Sequence, residues 1–276
     1  MVGDRKTPQD YRLANGIYLS PAEQERLAPD LSELTGWNCI QRRNLGFVLA
    51  LDLGAEVIAS IDDDNIPYDT WGRNLMIGQT VELKTFHAAN GCFDPIGAAG
   101  HGHLWHRGYP LQLLRTRDYG EAEVTPVRID IQADFWDDDP DVDAVCRLEH
   151  GPSVEFDPGA FPFASSAVGP FNSQNTLFSR EALMSYCVLP GIGRMDDIWA
   201  AYHVQSLGFK VAYAAPSVRH ERHPHDLTRD MVNEFLGYRR SEELVAAIIG
   251  GTYDPAHFWP ERTRLAYEAY VKRVRA

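Results

Sequence analysis

The stretch GAEVIASIDDDNIP, residues 54–67, runs an apolar, strand-forming segment directly into three aspartates. Adjacent carboxylates repel one another, and burying them uncompensated is costly. The chain must therefore bring this strand end to an edge where water or a cation can meet the charges. Upstream, NCIQRRNLGFVLALDLG reads as a helix, with Asn38 as its cap and Gly54 just past its end. Its later half is apolar nearly all round, as a buried helix is. AEVIASI then reads as a buried strand. A helix followed by a buried strand is half of a βαβ unit, which predicts a mostly parallel sheet with helices on its faces. Ligands of such sheets sit at the carboxyl ends of the strands, where Asp62, Asp63 and Asp64 fall. In extended backbone, residues i and i+2 share a side, so Asp62 and Asp64 can converge on one cation. Their oxygen donors suit Mg²⁺ or Mn²⁺ and leave coordination positions for water and a phosphate-bearing ligand. The same spacing also describes a polar strand end in water, with Asn65-Ile66-Pro67 making a turn.

Other readings of the aspartates fail on position. An EF-hand loop opening at Asp62 needs Gly at its sixth place and Glu at its twelfth, where this chain has Pro67 and Arg73. A Walker B strand needs a Walker A partner, and no G-x-x-x-x-G-K-[ST] occurs. The formal net charge of −13 opposes binding to a nucleic-acid backbone. Cys39, Cys92, Cys146 and Cys187 are widely spaced without a C-x-x-C pair, which favours a reducing, cytoplasmic setting over a disulfide framework. LVAAIIGG is too short to span a bilayer, and no signal-peptide pattern is visible.

No linker, repeat or composition break divides the 276 residues. One domain is expected over 1–276, with a core at about 1–225 and helices at about 226–276. SPAEQERL carries a helix start, with Ser20 as N-cap, Pro21 at N1 and Glu23 at N3. SREALMSYC and MDDIWAAYHVQSLG read as helices, KVAYAA as a strand, and RDMVNEFLGYRRSEELVAAIIGG and PERTRLAYEAYVKRVRA as amphipathic helices. Residues 85–170 are expected to form short strands and long loops, with FWDDDPDVDAV a solvated acidic turn. His101, His103 and His106 have a spacing that zinc could use, but no cysteine or helix supports it.

Arg42, Arg43 and Asn44 lie in the first half of a helix, where the dipole disfavours cations. They are either solvated or face an anion across the same strand edge. RRNLGFVLALDLGAEVIASIDDDN resembles the R-N-x-G…A…G…D-x-D stretch of nucleotide-sugar glycosyltransferases of the GT-A fold, through Arg43, Asn44, Gly46, Ala50, Gly54 and Asp62–Asp64. VGDRKTP, IYLSPAEQ, IDDDNIPY, RGYPLQL, DVDAVCRL, NSQNTLFSREAL and GRMDDIWAAY follow in an order similar to the reversibly glycosylated polypeptide (UDP-arabinopyranose mutase) and STELLO-like group.

The resemblance implies a GT-A, α/β fold: a mixed, mostly parallel sheet flanked by helices, with a C-terminal helical extension. It implies Asp4, Arg5 and Lys6 near the base and ribose of a nucleotide, and Arg43, Asn44 and Asp63 at the donor. Asp62, Asp64 and His220 would hold Mn²⁺ or Mg²⁺; His223 and His225 lie in the same SVRHERHPHD segment. Asp197 would be the general base and Asp196 a positioning group, or the reverse. Asn172, Ser173, Gln174 and Asn175 would meet sugar hydroxyls, and Arg107 the donor, with self-glycosylation of that arginine as its extreme form. The implied activity is metal-dependent transfer of a sugar from a nucleotide diphosphate donor, UDP-linked, to a hydroxyl acceptor. A UDP-sugar mutase and a non-catalytic scaffold are the alternatives. Neither a nucleic-acid partner nor a membrane span is expected.

Overall fold

The computed structural model describes residues 1–8, 10–222 and 226–276; the readings of His223 and His225 fall outside them. Its helices are α1 Pro21–Leu27, α2 Pro29–Thr35, α3 Arg43–Asp52, α4 Pro95–Ala98, α5 Ala144–His150, α6 Arg180–Leu183, α7 Asp196–Ser206, α8 Leu227–Ile249, α9 Pro255–Phe258 and α10 Glu261–Val274. The strands are β1 Val57–Ile61, β2 Asn65–Pro67, β3 Thr80–Phe86, β4 Ala122–Arg128, β5 Ile131–Asp138, β6 Phe163–Ser165, β7 Asn175–Ser179 and β8 Val211–His220. They form one sheet in the order β1-β7-β5-β8-β6-β3-β4, with β2 added to the end of β8. The architecture is the expected mixed α/β one, a sheet flanked by helices with a helical C-terminal region, and it is compatible with a GT-A-like fold. Among the described residues no helix is long and apolar enough to cross a membrane.

Among the strands of the described residues, β5 with β8 and β3 with β6 pair in parallel. The sheet is less parallel than the βαβ reading predicts because β7 lies between β1 and β5 and runs antiparallel to both. β1 is accordingly an edge strand and not a buried one. Its burial alternates, and Val57 and Ile61 remain 40% and 38% exposed. Ile58 points the other way, into the main core with Phe47, Val48 and Phe178. The reverse face of the sheet carries a smaller cluster of Leu83, Ile129, Ala164 and Ala212, on which Met76 and Ile77 pack.

Local signals set the helix starts unevenly. At α1 the Ser20 hydroxyl accepts from the Glu23 amide, while Glu23 Oε2 accepts from the Ser20 amide, so the expected capping box is present. Asn38 does not cap α3. It sits at φ 57°, because the Asp4 carboxylate accepts the Asn38 and Cys39 amides at 2.9 and 3.2 Å and draws that turn away from the helix. A 3₁₀ turn over Ile40–Arg42 intervenes before α3. At α7 Asp196 is the first helical residue, behind Met195.

Asn44, expected at the donor, is fully buried and clasps a neighbouring segment. Its Nδ2 donates to Val188 O at 2.8 Å, and its Oδ1 accepts from Val188 N at 2.9 Å. Two backbone groups that no strand satisfies are thereby paired. Asn44→Ala would strand both, at a cost of about 2–4 kcal/mol. Denaturant unfolding should show that loss; an unchanged midpoint would mean that Asn44 is not a structural clasp.

Candidate active site at the strand-end edge

The carboxyl ends of β1, β5 and β8 and the amino end of β7 meet at one edge of the sheet. Asp62 leaves β1 with its amide donating to Gln174 O at 2.9 Å. Its Oδ1 accepts from Arg43 Nη2 at 2.5 Å. Arg43 Nη1 also donates to Ser60 Oγ and to Ser173 O, at 3.0 and 2.6 Å, so the guanidinium ties α3, β1 and the approach to β7 together. Burial pushes the Asp62 carboxyl up; Arg43 opposes this, while Asp64 and Asp197 add to it. The edge thus gathers more carboxylate than Arg43 alone neutralises.

β1 ends at Ile61, so Asp62–Asp64 form a turn into β2 and not extended backbone: the Asn65 amide donates to Asp62 O at 3.3 Å, Asp62 and Asp64 are half-buried and Asp63 is exposed. Asp64 Oδ2 lies 3.4 Å from His220 Nε2. His220 ends β8 opposite Asn65, and its Nδ1 lies 2.7 Å from Asp139 O. A carbonyl can only accept, so Nδ1 carries the hydrogen and Nε2 faces Asp64. Burial alone would lower the imidazole's pKa, but the hydrogen bonds to Asp64 and to the Asp139 carbonyl override it and raise the pKa. With Nδ1 held by a carbonyl, release of the Nε2 proton would leave that nitrogen's lone pair beside the Asp64 carboxylate, as in a metal-binding histidine with its outer support in place. Asp64 and His220 therefore fit a divalent cation, whereas Asp62 is engaged by Arg43. Among the described residues no three His, Cys, Asp or Glu side chains form a metal cage, His101, His103 and His106 included.

Arg107, expected at the donor, is enclosed at 7% exposure between two carboxylates. Nε and Nη2 donate to Asp141 Oδ1 and Oδ2 at 2.7 and 2.8 Å. Nη1 donates to Asp197 Oδ1 at 3.0 Å and to Arg194 O, and Nη2 reaches Asp197 Oδ2 at 3.4 Å. All five N–H groups of the guanidinium are thus occupied, leaving none for a ligand. Asp141 is the functional-site neighbour that the sequence reading missed, since FWDDDPDVDAV is not a solvated turn: Asp141 and Asp143 are 3% and 1% exposed. The available signal was D-V-D-A-V, in which acids alternate with apolar residues and Asp143 precedes a helix, which it caps through the Cys146 amide.

Asp196 and Asp197 are adjacent and buried, yet titrate in opposite directions. For Asp197, burial is outweighed by Arg107 and by the Ser173 amide, which donates to Oδ2 at 3.0 Å, so its pKa is lowered. For Asp196, burial and then the neighbouring Asp197 charge raise the pKa. Its oxygens accept from Gln41 Nε2 at 2.5 Å and from the Asp197 amide at 3.0 Å. Asp196 is the group placed to exchange a proton, and Asp197 the one held as an anion.

The remaining expected residues divide. Asn172 Nδ2 donates to Asp141 Oδ2 at 2.8 Å, and Gln174 Nε2 donates to Asn65 Oδ1 at 3.0 Å. Asn175 Nδ2 donates to Ser217 Oγ at 2.9 Å and to Phe135 O at 3.1 Å. These amides brace the strand ends from within, where sugar hydroxyls were expected. Asp4 fixes the 38–39 turn, and Arg5, Lys6 and Asp63 are exposed. Arg42 points away from the edge, donating to Gln24 Oε1 at 2.8 Å and to Ser32 O at 3.0 Å.

No family model matches the chain. It is similar to two proteins of Arabidopsis thaliana, "Probable glycosyltransferase STELLO2" and "Probable glycosyltransferase STELLO1". Each is 24% identical over 253 residues, which cover 80% of this chain and 32% of the relative. The chain thus spans about a third of the length of the curated relatives it matches. This distant similarity supports a glycosyltransferase-like family.

The opposed pair has a consequence for stability. A carboxyl whose folded pKa is raised binds its proton more tightly folded than unfolded, so its contribution to stability falls as pH climbs above the unfolded value, about 3.9. Asp196→Asn removes that loss and can keep both hydrogen bonds once the Gln41 amide turns over. The variant should exceed the wild type by roughly 1–3 kcal/mol at pH 8, with the gain shrinking towards pH 4. Denaturant unfolding at several pH values measures it. A variant less stable at pH 8 than the wild type would show that the Asp196 charge holds the fold together.

Proposed function

We propose that this chain transfers a sugar from a nucleotide diphosphate donor, UDP-linked, to a hydroxyl acceptor, as a metal-dependent glycosyltransferase of GT-A type. The observation that carries this reading is the convergence, at one sheet edge, of a carboxylate–imidazole pair (Asp64 and His220, beside Asp62) with a buried acid pair of split pKa (Asp196 and Asp197). The likeness to two proteins named as probable glycosyltransferases supports the reaction class.

Asp64 and His220 would hold Mn²⁺ or Mg²⁺, which when bound supplies positive charge to a diphosphate leaving group. Arg43 holds Asp62 at the same edge and orients it. Asp196 takes the proton of the attacking hydroxyl; its raised pKa suits that exchange near neutrality. Asp197 remains ionised under Arg107, and its charge outweighs the downward pull of Arg107 on Asp196. The mutase alternative loses its covalent candidate, since Arg107 has no free N–H and is enclosed.

Calorimetric titration with UDP, with and without Mn²⁺, tests the assignment. Asp64→Asn and His220→Ala should each lose the metal-dependent part of UDP binding. Asp196→Asn should keep donor binding and lose turnover on the order of a hundredfold or more, as removal of a general base does. Unaltered UDP affinity in both strand-end variants would remove the metal assignment. Conversion of a UDP-sugar to its ring isomer, without acceptor and without release of free sugar, would replace transfer by the mutase reaction.

A further inference from the structure

The loop that precedes α3 carries an aromatic plate with no role in the site described above. Trp37 is half-buried. Its neighbours Gly36 and Asn38 are at φ 82° and 57°, and the Asp4 carboxylate pins the Asn38 and Cys39 amides at 2.9 and 3.2 Å. The backbone under the indole is therefore fixed. The Arg42 guanidinium lies 3.7 Å from the ring centroid and is immobilised by hydrogen bonds to Gln24, Ser32 and Gly36. The Arg5 guanidinium lies 4.5 Å from the same ring centroid. Arg5 differs from Arg42 in what holds it. Its side chain is 60% exposed, and its ion pair with Glu25, itself 53% exposed, spans 3.5 Å. Such surface pairs contribute little.

We propose that Trp37 is the stacking shelf for the base of the nucleotide donor, and that Arg5 covers the ring until the base replaces it. This rests on the reading of the chain as a nucleotide-sugar transferase. A guanidinium and a nucleobase are both flat, delocalised groups that stack on an indole, so a weakly held arginine marks a surface that a base can take. The shelf also lies in the right segment. Four residues beyond Trp37, Gln41 donates to Asp196, and two residues later Arg43 donates to Asp62. One short run of chain therefore joins the ring to both halves of the carboxylate site. The released Arg5 and the exposed Lys6 stay on that side, a local cationic spot for a nucleotide phosphate in a chain of net charge −13.

The test is calorimetric titration of Trp37→Leu and Trp37→Phe with UMP and with ribose 5-phosphate, alongside the quenching of tryptophan fluorescence by UMP. Loss of the ring in Trp37→Leu should weaken UMP binding about tenfold or more, while Trp37→Phe, which keeps a stacking face, stays within about threefold. Ribose 5-phosphate, which has no base, should bind all three proteins alike. UMP should quench the wild type and not Trp37→Phe, a comparison that holds even if Trp37→Leu fails to fold. A folded Trp37→Leu protein with wild-type UMP affinity, or equal quenching in Trp37→Phe, overturns the shelf. If UDP still binds with Mn²⁺ through Asp64 in that case, only the shelf falls. If the wild type binds no uridine nucleotide, the transferase reading falls with it.

Discussion

The Arg107 guanidinium, shared between Asp141 and Asp197, joins three parts of the chain, two of which are also paired through the His106–Val142 bridge. Arg107 comes from the long connection after α4, Asp141 from the connection between β5 and α5, and Asp197 from the first turn of α7. Burial opposes ionisation of Asp141, but Arg107 overrides it and holds that carboxyl far below the usual range. Taking such charges out of water repays itself only when nearly every donor and acceptor is matched, and removing one partner strands the others. Here the matching continues outward. Asp141 takes the Asn172 amide, Asp197 takes the Ser173 amide, and the Ser173 carbonyl takes Arg43, which holds Asp62. Asp62 at the sheet edge and the acid pair are thus two ends of one hydrogen-bonded chain.

The C-terminal helices hold this chain from behind. Gly193, at φ 63°, starts the turn before α7, and a Cβ there would lie 2.0 Å from the Asn233 carbonyl of α8, so only glycine allows the approach. Arg194, whose carbonyl accepts from Arg107, donates through Nε to Glu234 Oε1 at 2.8 Å. Glu234 is 1% exposed, and its other oxygen accepts from the Ala144 amide and from the Tyr238 hydroxyl. α8 therefore fixes the position of the acid pair without contributing a group to it. Burial, reinforced by Glu234, pushes the neighbouring Asp143 carboxyl up to about 6, a sign of how little water reaches this junction.

What could be read from the sequence were features set by neighbours in the chain. Ser20, Pro21 and Glu23 define a helix start within four residues, whereas the side that Asp62 and Asp64 face is set by a turn after β1 and not by strand alternation. Residues whose partners are remote in sequence were misread. Asn44 looks like a ligand contact until Val188 is known to face it, and Arg107 looks free until Asp141 and Asp197 close on it. Asp141, in the acidic run before α5, fails for the same reason: composition marks it as solvated, whereas the arginine that neutralises it is 34 residues away. Asn172, Gln174 and Asn175 show the converse error, since a polar run suits either a ligand or a strand end that must satisfy its own backbone, and only the partners distinguish the two.

The acid pair shows how position turns a repeated residue into two chemical groups. Asp196 and Asp197 are consecutive on one helix and equally shielded from water, so burial alone would raise both. The helix turns each successive side chain by about 100°, which aims Asp197 at Arg107 and Ser173 and Asp196 at Gln41. One carboxyl meets a cation and the other a neutral amide. The charge thereby fixed on Asp197 then raises its neighbour further. Pairs of carboxyls driven apart in this way are the arrangement that acid–base chemistry requires, one to carry the proton and one to keep its charge. Arg107 is thus both the structural joint of this site and the source of its asymmetry.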